Sequence, residues 1–213
     1  MGMSIPYERF GRTRQKSRTR DALINTTREL IAEGVTPTVE DAAARAGISR
    51  TTAYRYFPNQ RALLIAAHPE IDTKSMLGPN PPRNPADRLA AVVDGFLRIT
   101  LESEAQLRMA LRLSLENAGD RSGSSLRQGR AIAWIEEALS PLLGQLPKQK
   151  VRRLAVAIRA AAGIEALVWL TDVAGLSRTD ATELMKWSAQ ALLRAGVAER
   201  KGMEAKRKRA SKT

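Results

Sequence analysis

Apolar residues recur along this chain at helical rather than strand spacing. Between Arg14 and Glu33, Leu23, Thr27, Leu30 and Ile31 fall on one stripe, and Gly34 follows as a left-handed cap would. No segment alternates apolar and polar residues for long between hairpin signals, so the pattern predicts no sheet. Thr38 and Asp41 have the spacing of a capping box, with Asp in place of the usual Glu, and they open a short helix that Gly47 closes. Ser49 can cap a second short helix, Arg50 to Phe57. Pro58 interrupts, and Asn59 can cap a third helix beginning at Gln60 and reaching Leu77.

The run from Gly78 to Pro85 breaks the pattern. Beyond it, longer helices are predicted over Ala86–Glu102, Glu104–Glu116, Leu126–Leu143, Lys148–Val173 and Arg178–Ala195. Asn117 to Ser125 reads as a Gly/Ser-rich loop, and Ser177 with Asp180 repeats the capping-box spacing before the last helix. The tail Glu199–Thr213 carries Lys206-Arg207-Lys208-Arg209 and no apolar face, which predicts disorder. The expected organisation is all-α. A basic arm (1–13) precedes a three-helix domain (14–60), and a helical-bundle domain (61–197) and a basic tail (198–213) follow.

Composition narrows the chemistry. The 213 residues include 43% apolar side chains, enough for a packed core, and carry a net charge of +13. The surplus is concentrated at the ends: +5 within residues 1–65, +5 within 198–213 and +3 in the long middle. Such a charge attracts phosphate, on nucleic acid or on an anionic membrane surface. There is no cysteine and a single histidine, His68, so thiolate sites and His-rich metal centres are excluded. His68 has no sequence partner and reads as a packed or capping histidine. With no Gly-rich phosphate loop and no nucleophile elbow either, the chain is not expected to be an enzyme or to need a cofactor. No run approaches ~18 uninterrupted apolar residues, so no membrane span is expected. No apolar stretch follows the basic N-terminus as in a secretory signal, and a cytoplasmic location is the expectation.

Thr38 to Phe57 is the most informative stretch. A helix-turn-helix needs small residues where two short helices cross, and Gly in the turn. Ala42, Ala43 and Ala46 supply the small face, Gly47 the turn and Ile48 an apolar plug. At ~100° per residue, Ala53 and Phe57 point inward while Thr51, Thr52 and Arg55 lie opposite, flanked by Arg50, Tyr54 and Tyr56. Arg can pair with guanine, Thr can touch a thymine methyl, and hydroxyls can bind phosphate. On pattern alone, a tight helical corner with a polar outer face fits the same residues.

These residues, with Ala46-Gly47-Ile48-Ser49, Tyr54-Arg55-Tyr56-Phe57 and Ala62-Leu63-Leu64, resemble the DNA-binding signature of the TetR family of transcriptional regulators. The resemblance implies that Tyr54 grips a phosphate, that Tyr56 sits at the next contact position and that Phe57 is buried. It implies that Thr38 caps its helix and touches the backbone, with Arg50, Thr51 and Thr52 reading bases. Where the family usually has Lys after the aromatic, this chain has Gln60 and then Arg61. A phosphate contact there is weaker or passes to Arg61. The DNA-contacting candidates are thus Thr38, Ser49, Arg50, Thr51, Thr52, Tyr54, Arg55, Tyr56 and Arg61. The arm residues Arg9, Arg12, Arg14, Lys16, Arg18 and Arg20 either enter the minor groove or form a solvated tail.

The resemblance further implies a small-molecule effector pocket among the C-terminal helices, for which Met109, Trp134, Glu165 and Trp169 are candidate lining residues. Glu165 interrupts an apolar run and needs a partner, solvent or a ligand. It also implies a homodimer through the last two helices, about 148–173 and 178–195. Ala157, Ala160, Ala161 and Gly163 would permit close approach, and Leu154, Ile158, Leu184, Trp187, Leu192 and Leu193 would supply buried area. The expected function is a regulator, most often a repressor, that binds a near-palindromic operator on duplex DNA and is released by its ligand. An architectural or nonspecific DNA-binding protein is the alternative.

Overall fold

A computed structural model describes residues 7–68, 73–116 and 129–210. Among the described residues all regular structure is helical. Ten α-helices follow in order: α1 (Tyr7–Ala32), α2 (Val39–Arg45), α3 (Arg50–Tyr56), α4 (Gln60–Ala66), α5 (Pro85–Glu102), α6 (Glu104–Glu116), α7 (Arg130–Ala138), α8 (Lys148–Ala161), α9 (Ile164–Val168) and α10 (Arg178–Ala210). The Gly/Ser-rich loop expected at 117–125 and the first residues of the helix expected from Leu126 lie outside the described residues. So do the side chains of Arg9, Arg12 and the C-terminal Lys/Arg run.

The chain divides into two compact units. The first holds α1–α4 and, from Ala105 on, α6. Its core is built from Leu23 and Ile24 of α1, Val39, Ala42 and Ala43 of α2, Ala53 of α3, the cap residue Phe57, and Leu63 of α4. Thus α4, which the sequence assigned to the C-terminal domain, is part of this unit: Leu63, Ala66 and Ala67 are buried in its core. The Arg28 Nε also donates to the Ala67 carbonyl at 3.0 Å. The second unit is the bundle of α5, α7, α8, α9 and α10. Leu89, Val92, Val93, Phe96 and Leu97 on α5 are buried, as are Ile135, Val151, Ile158, Leu167, Met185 and Leu193. Each such side chain contributes ~1.5–3 kcal/mol relative to exposure. Arg88 fastens two helices by donating to the Glu137 and Ala138 carbonyls at 2.8 and 3.0 Å, where the end of α7 has no helical donors left.

Several boundaries differ from the sequence reading. The first helix starts at Tyr7 rather than Arg14, so much of the expected arm is helical. Gly11 disfavours a helix by only about 1 kcal/mol, no proline lies between Tyr7 and Arg14, and the Glu and Arg residues there are good formers. The last helix continues to Ala210 through the tail expected to be disordered. A missing apolar face removes tertiary packing, but Ala, Glu, Lys and Arg keep their intrinsic helix preference. The helix from Gln60 stops at Ala66 instead of Leu77. Pro69 offers no amide hydrogen and disfavours helical geometry in the residue before it, His68. The helix expected to reach Leu143 ends at Ala138 and gives way to a 3-10 turn, Ser140–Leu142, carrying Pro141.

The predicted helix Lys148–Val173 is broken. Gly163 has φ 117° and ψ −169°, which only glycine adopts readily, and Ala162 is extended. Arg159 bridges the break: its Nη1 donates to the Ala162 carbonyl at 2.8 Å and to Glu165 at 3.1 Å. A wide π-type turn, Trp169–Val173, then ends the segment. By length and composition this stretch could cross a membrane. Its two halves are not one helix, however, and Val151, Leu154, Ala155 and Ile158 face the core of their own unit.

Candidate nucleic-acid interface

Helix α2 opens with the expected capping box. The Thr38 hydroxyl accepts the Asp41 amide at 3.1 Å, and the Asp41 carboxylate accepts the Thr38 amide at 2.8 Å and its hydroxyl at 2.7 Å. The short helix leaves at Gly47, whose φ of 65° turns the chain toward α3. The amide of Ile48 donates back to the Ala43 carbonyl at 2.9 Å and closes the turn. Ser49 then caps α3 through its side-chain oxygen, which accepts from the Thr52 amide. With α2 and α3 this short, packing rather than helix propensity holds them. Ala42, Ala43 and Ala53 are buried where the helices meet.

This geometry sorts the candidate residues by face. Ala53 and Phe57 are turned into the core, while Arg50, Thr51 and Arg55 are exposed and Thr52, Tyr54 and Tyr56 half-buried. Thr38 and Ser49 are exposed at the starts of their helices, both engaged in capping. The Ser49 hydroxyl also donates to Thr52 Oγ1 at 2.8 Å. Arg61 is half-buried on α4. Arg20, from the expected arm, stacks its guanidinium 5.7 Å from the centre of the Phe57 ring, which fixes one cation beside the end of α3.

Three links distant in sequence tie the pieces together. Arg45 of α2 forms a bidentate pair with Glu33 just beyond α1, at 2.9 and 3.0 Å. That pairing holds the Glu33 carboxyl below its ordinary range. The Gln60 side chain donates to the Pro37 carbonyl at 3.0 Å, joining the start of α4 to the loop before α2. Arg112 of α6 reaches the Thr36 hydroxyl in the same unit.

Glu40 is a residue that sequence reasoning missed. Its carboxylate accepts from the Tyr54 hydroxyl at 2.6 Å and pairs with Arg50 at 2.9 Å, through the same oxygen. The Arg50 guanidinium also lies 5.7 Å from the centre of the Tyr54 ring. The Tyr54 bond, with Arg50 adding to it, keeps Glu40 ionised to lower pH than an ordinary glutamate. The same bond raises the Tyr54 phenol above its usual value. Arg50 and Tyr54 are one helical turn apart, so the spacing itself puts them side by side; what hid Glu40 is that only the crossing of α2 over α3 brings it there.

The candidate effector residues do not converge. Met109 belongs to the first unit, beside Ile31, Leu64 and Ala67. Trp134 is 2% exposed in the core of the second unit, its ring 6.3 Å from that of Phe96. Glu165 and Trp169 do line one cleft of about 410 Å³, with Ala160, Leu184 and Met185. A separate cleft of about 570 Å³ between α5 and α10 is lined by Asp94, Arg98, Glu102 and Lys186. Among the described residues no group of three His, Asp or Glu could hold a metal ion.

Residues 23–67 match the family described as bacterial regulatory proteins, tetR family, a span that runs from within α1 through α4. The chain is also similar to the HTH-type transcriptional repressor LfrR of Mycolicibacterium smegmatis, with 33% identity over 92 residues. That alignment covers 43% of this chain and 47% of the relative, about half the length of each.

Proposed function

We propose, from an N-terminal domain that belongs to the TetR family of bacterial regulatory proteins, that this protein is a cytoplasmic transcriptional regulator, acting as a repressor. It binds a near-palindromic operator as a homodimer and leaves it when a small molecule occupies the C-terminal unit. One observation carries the reading: α3 buries Ala53 and Phe57 and leaves Arg50, Thr51 and Arg55 on the outside of a capped helix-turn-helix. A helix with that outer face suits the major groove.

A single recognition helix reads few base pairs, so two copies spaced ~34–36 Å apart are needed for a specific site. The second unit leaves Val156, Trp169, Val173, Leu184 and Trp187 exposed on α8, on the π-type turn and on α10. An apolar set of that kind on the last helices supports pairing there. Leu154, Ile158 and Leu193, counted as interface residues from sequence, are buried within the protomer instead.

Release requires an effector that prefers the state unable to bind DNA, since equal affinity for both states shifts nothing. A continuous helix from Gln60 to Leu77 cannot be the lever, because α4 ends at Ala66. The change passes instead through the covalent links between the units, among them the one between Glu104 and Ala105.

The high positive charge also favours a second reading, an architectural DNA-binding protein. Selection of bound duplexes from random DNA separates them. A regulator enriches a near-palindrome and prefers it over scrambled DNA by ~10³ or more. On that duplex Arg50→Ala costs about 1–3 kcal/mol and relaxes one base position, whereas Tyr54→Phe weakens all sequences about equally. Equal binding to every duplex would overturn the proposal.

A further inference from the structure

We propose that Glu40 is a specificity-determining residue, an internal anion that holds Arg50 until the correct base pair competes for it. The inference rests on the DNA-binding reading above. Its basis is the shared oxygen: Glu40 Oε1 accepts the Tyr54 hydroxyl at 2.6 Å and pairs with Arg50 at 2.9 Å. Both donors belong to α3, and Glu40 comes from the first turn of α2, so the carboxylate sits among the groups that face DNA.

On an arbitrary duplex, a phosphate offers Arg50 only another anion in exchange for Glu40. The exchange gains little, and the carboxylate repels the incoming phosphate. On the operator, Arg50 gains paired hydrogen bonds to a base edge, which a carboxylate cannot match in geometry. Glu40 therefore subtracts more from nonspecific than from specific binding. Discrimination by an unfavourable element of this kind needs no additional contact to the correct site.

The test compares wild type, Glu40→Gln and Glu40→Asp on the duplex selected from random DNA and on a scrambled duplex of equal length. Glu40→Gln keeps an acceptor for Tyr54 and removes the charge. Its affinity for scrambled DNA should rise ~5-fold, the scale of one close charge pair in water. Its salt dependence there should steepen by about one, as Arg50 takes up a phosphate. Affinity for the selected duplex should change much less, so the specificity ratio falls. Glu40→Asp retains the charge and should keep most of the wild-type ratio. If thermal melts show Glu40→Gln to be misfolded, Glu40→Ala serves in its place with the same expectation. An unchanged ratio, or equal gains on both duplexes, overturns the role of Glu40 and leaves the regulator reading standing. Wild type that fails to discriminate between the duplexes overturns both.

Discussion

The side-chain amide of Gln60 donates to the carbonyl oxygen of Pro37 at 3.0 Å, across twenty-three residues of sequence. A family-like lysine at this position would instead project a cation toward phosphate. Gln60 thus fastens α4 to the loop that enters the helix-turn-helix. Gln60→Ala should lower the stability of the first unit by about 1 kcal/mol, the usual net value of one hydrogen bond. Gln60→Lys should lose the same bond yet bind all duplexes more tightly, with a salt slope steeper by about one. Thermal melts and salt titrations of binding measure the two effects separately; a Gln60→Lys variant unchanged in both would remove this role.

The helix-turn-helix was legible because its signals are local. Thr38 and Asp41 cap within one turn, Gly47 supplies the bend, and Ala53 and Phe57 share a face by simple periodicity. Glu40 escaped because its partners lie ten and fourteen residues on, and only the crossing of two helices joins them. The break at Gly163 was hidden inside an apolar run where helical spacing continues on both sides. The candidate effector residues failed to converge for a related reason. Trp134, Trp169 and Met109 are all large and apolar, and composition alone cannot tell a core tryptophan from an exposed one.

Three carboxylates in the first unit make its stability depend on acid. Hydrogen bonds from Arg45, Tyr54 and Thr38 lower the folded-state values of Glu33, Glu40 and Asp41, respectively, below the ordinary 4.5, 4.5 and 3.8. Groups with lowered values stabilise the fold fully above their unfolded values and lose that contribution as pH falls through the folded ones. Melting temperature should therefore hold down to about pH 5 and decline toward about pH 3. A variant carrying Glu33→Gln, Glu40→Gln and Asp41→Asn should start lower and show a shallower decline. Parallel profiles for the two proteins would show that other groups govern acid unfolding.

Gly163 is constrained twice. Its φ of 117° disfavours any side chain, and an added Cβ would lie 2.6 Å from Arg159 Nη1 and 3.0 Å from Phe96 Cζ. Gly163→Ala should destabilise the second unit by roughly 1–3 kcal/mol through backbone strain, with displacement of Arg159 adding to it. Arg159→Met removes the guanidinium that bridges Ala162 and Glu165 and relieves the closer contact. Combining the two should cost less than the sum of the single changes, because the residues share one space. Denaturant unfolding of the four proteins measures that coupling; strict additivity would rule it out.

Trp187 is 63% exposed on α10, with Leu184 one turn earlier. If the second unit pairs through this surface, the indole is a buried anchor in the dimer and an ordinary surface group in the monomer. Trp187→Ala should then change the monomer's intrinsic stability by no more than ~0.5 kcal/mol, as at most surface sites. The same change should weaken association by ~2 kcal/mol or more, the scale of an interface hot spot. Sedimentation across a dilution series separates these effects: the variant dissociates at concentrations where wild type stays paired. Its melting temperature also becomes more sensitive to dilution, since dimer formation stabilises by mass action. Operator affinity should fall with the loss of pairing, while binding of one protomer to a half-site persists. A variant that remains as tightly paired as wild type would move the interface away from this face of α10.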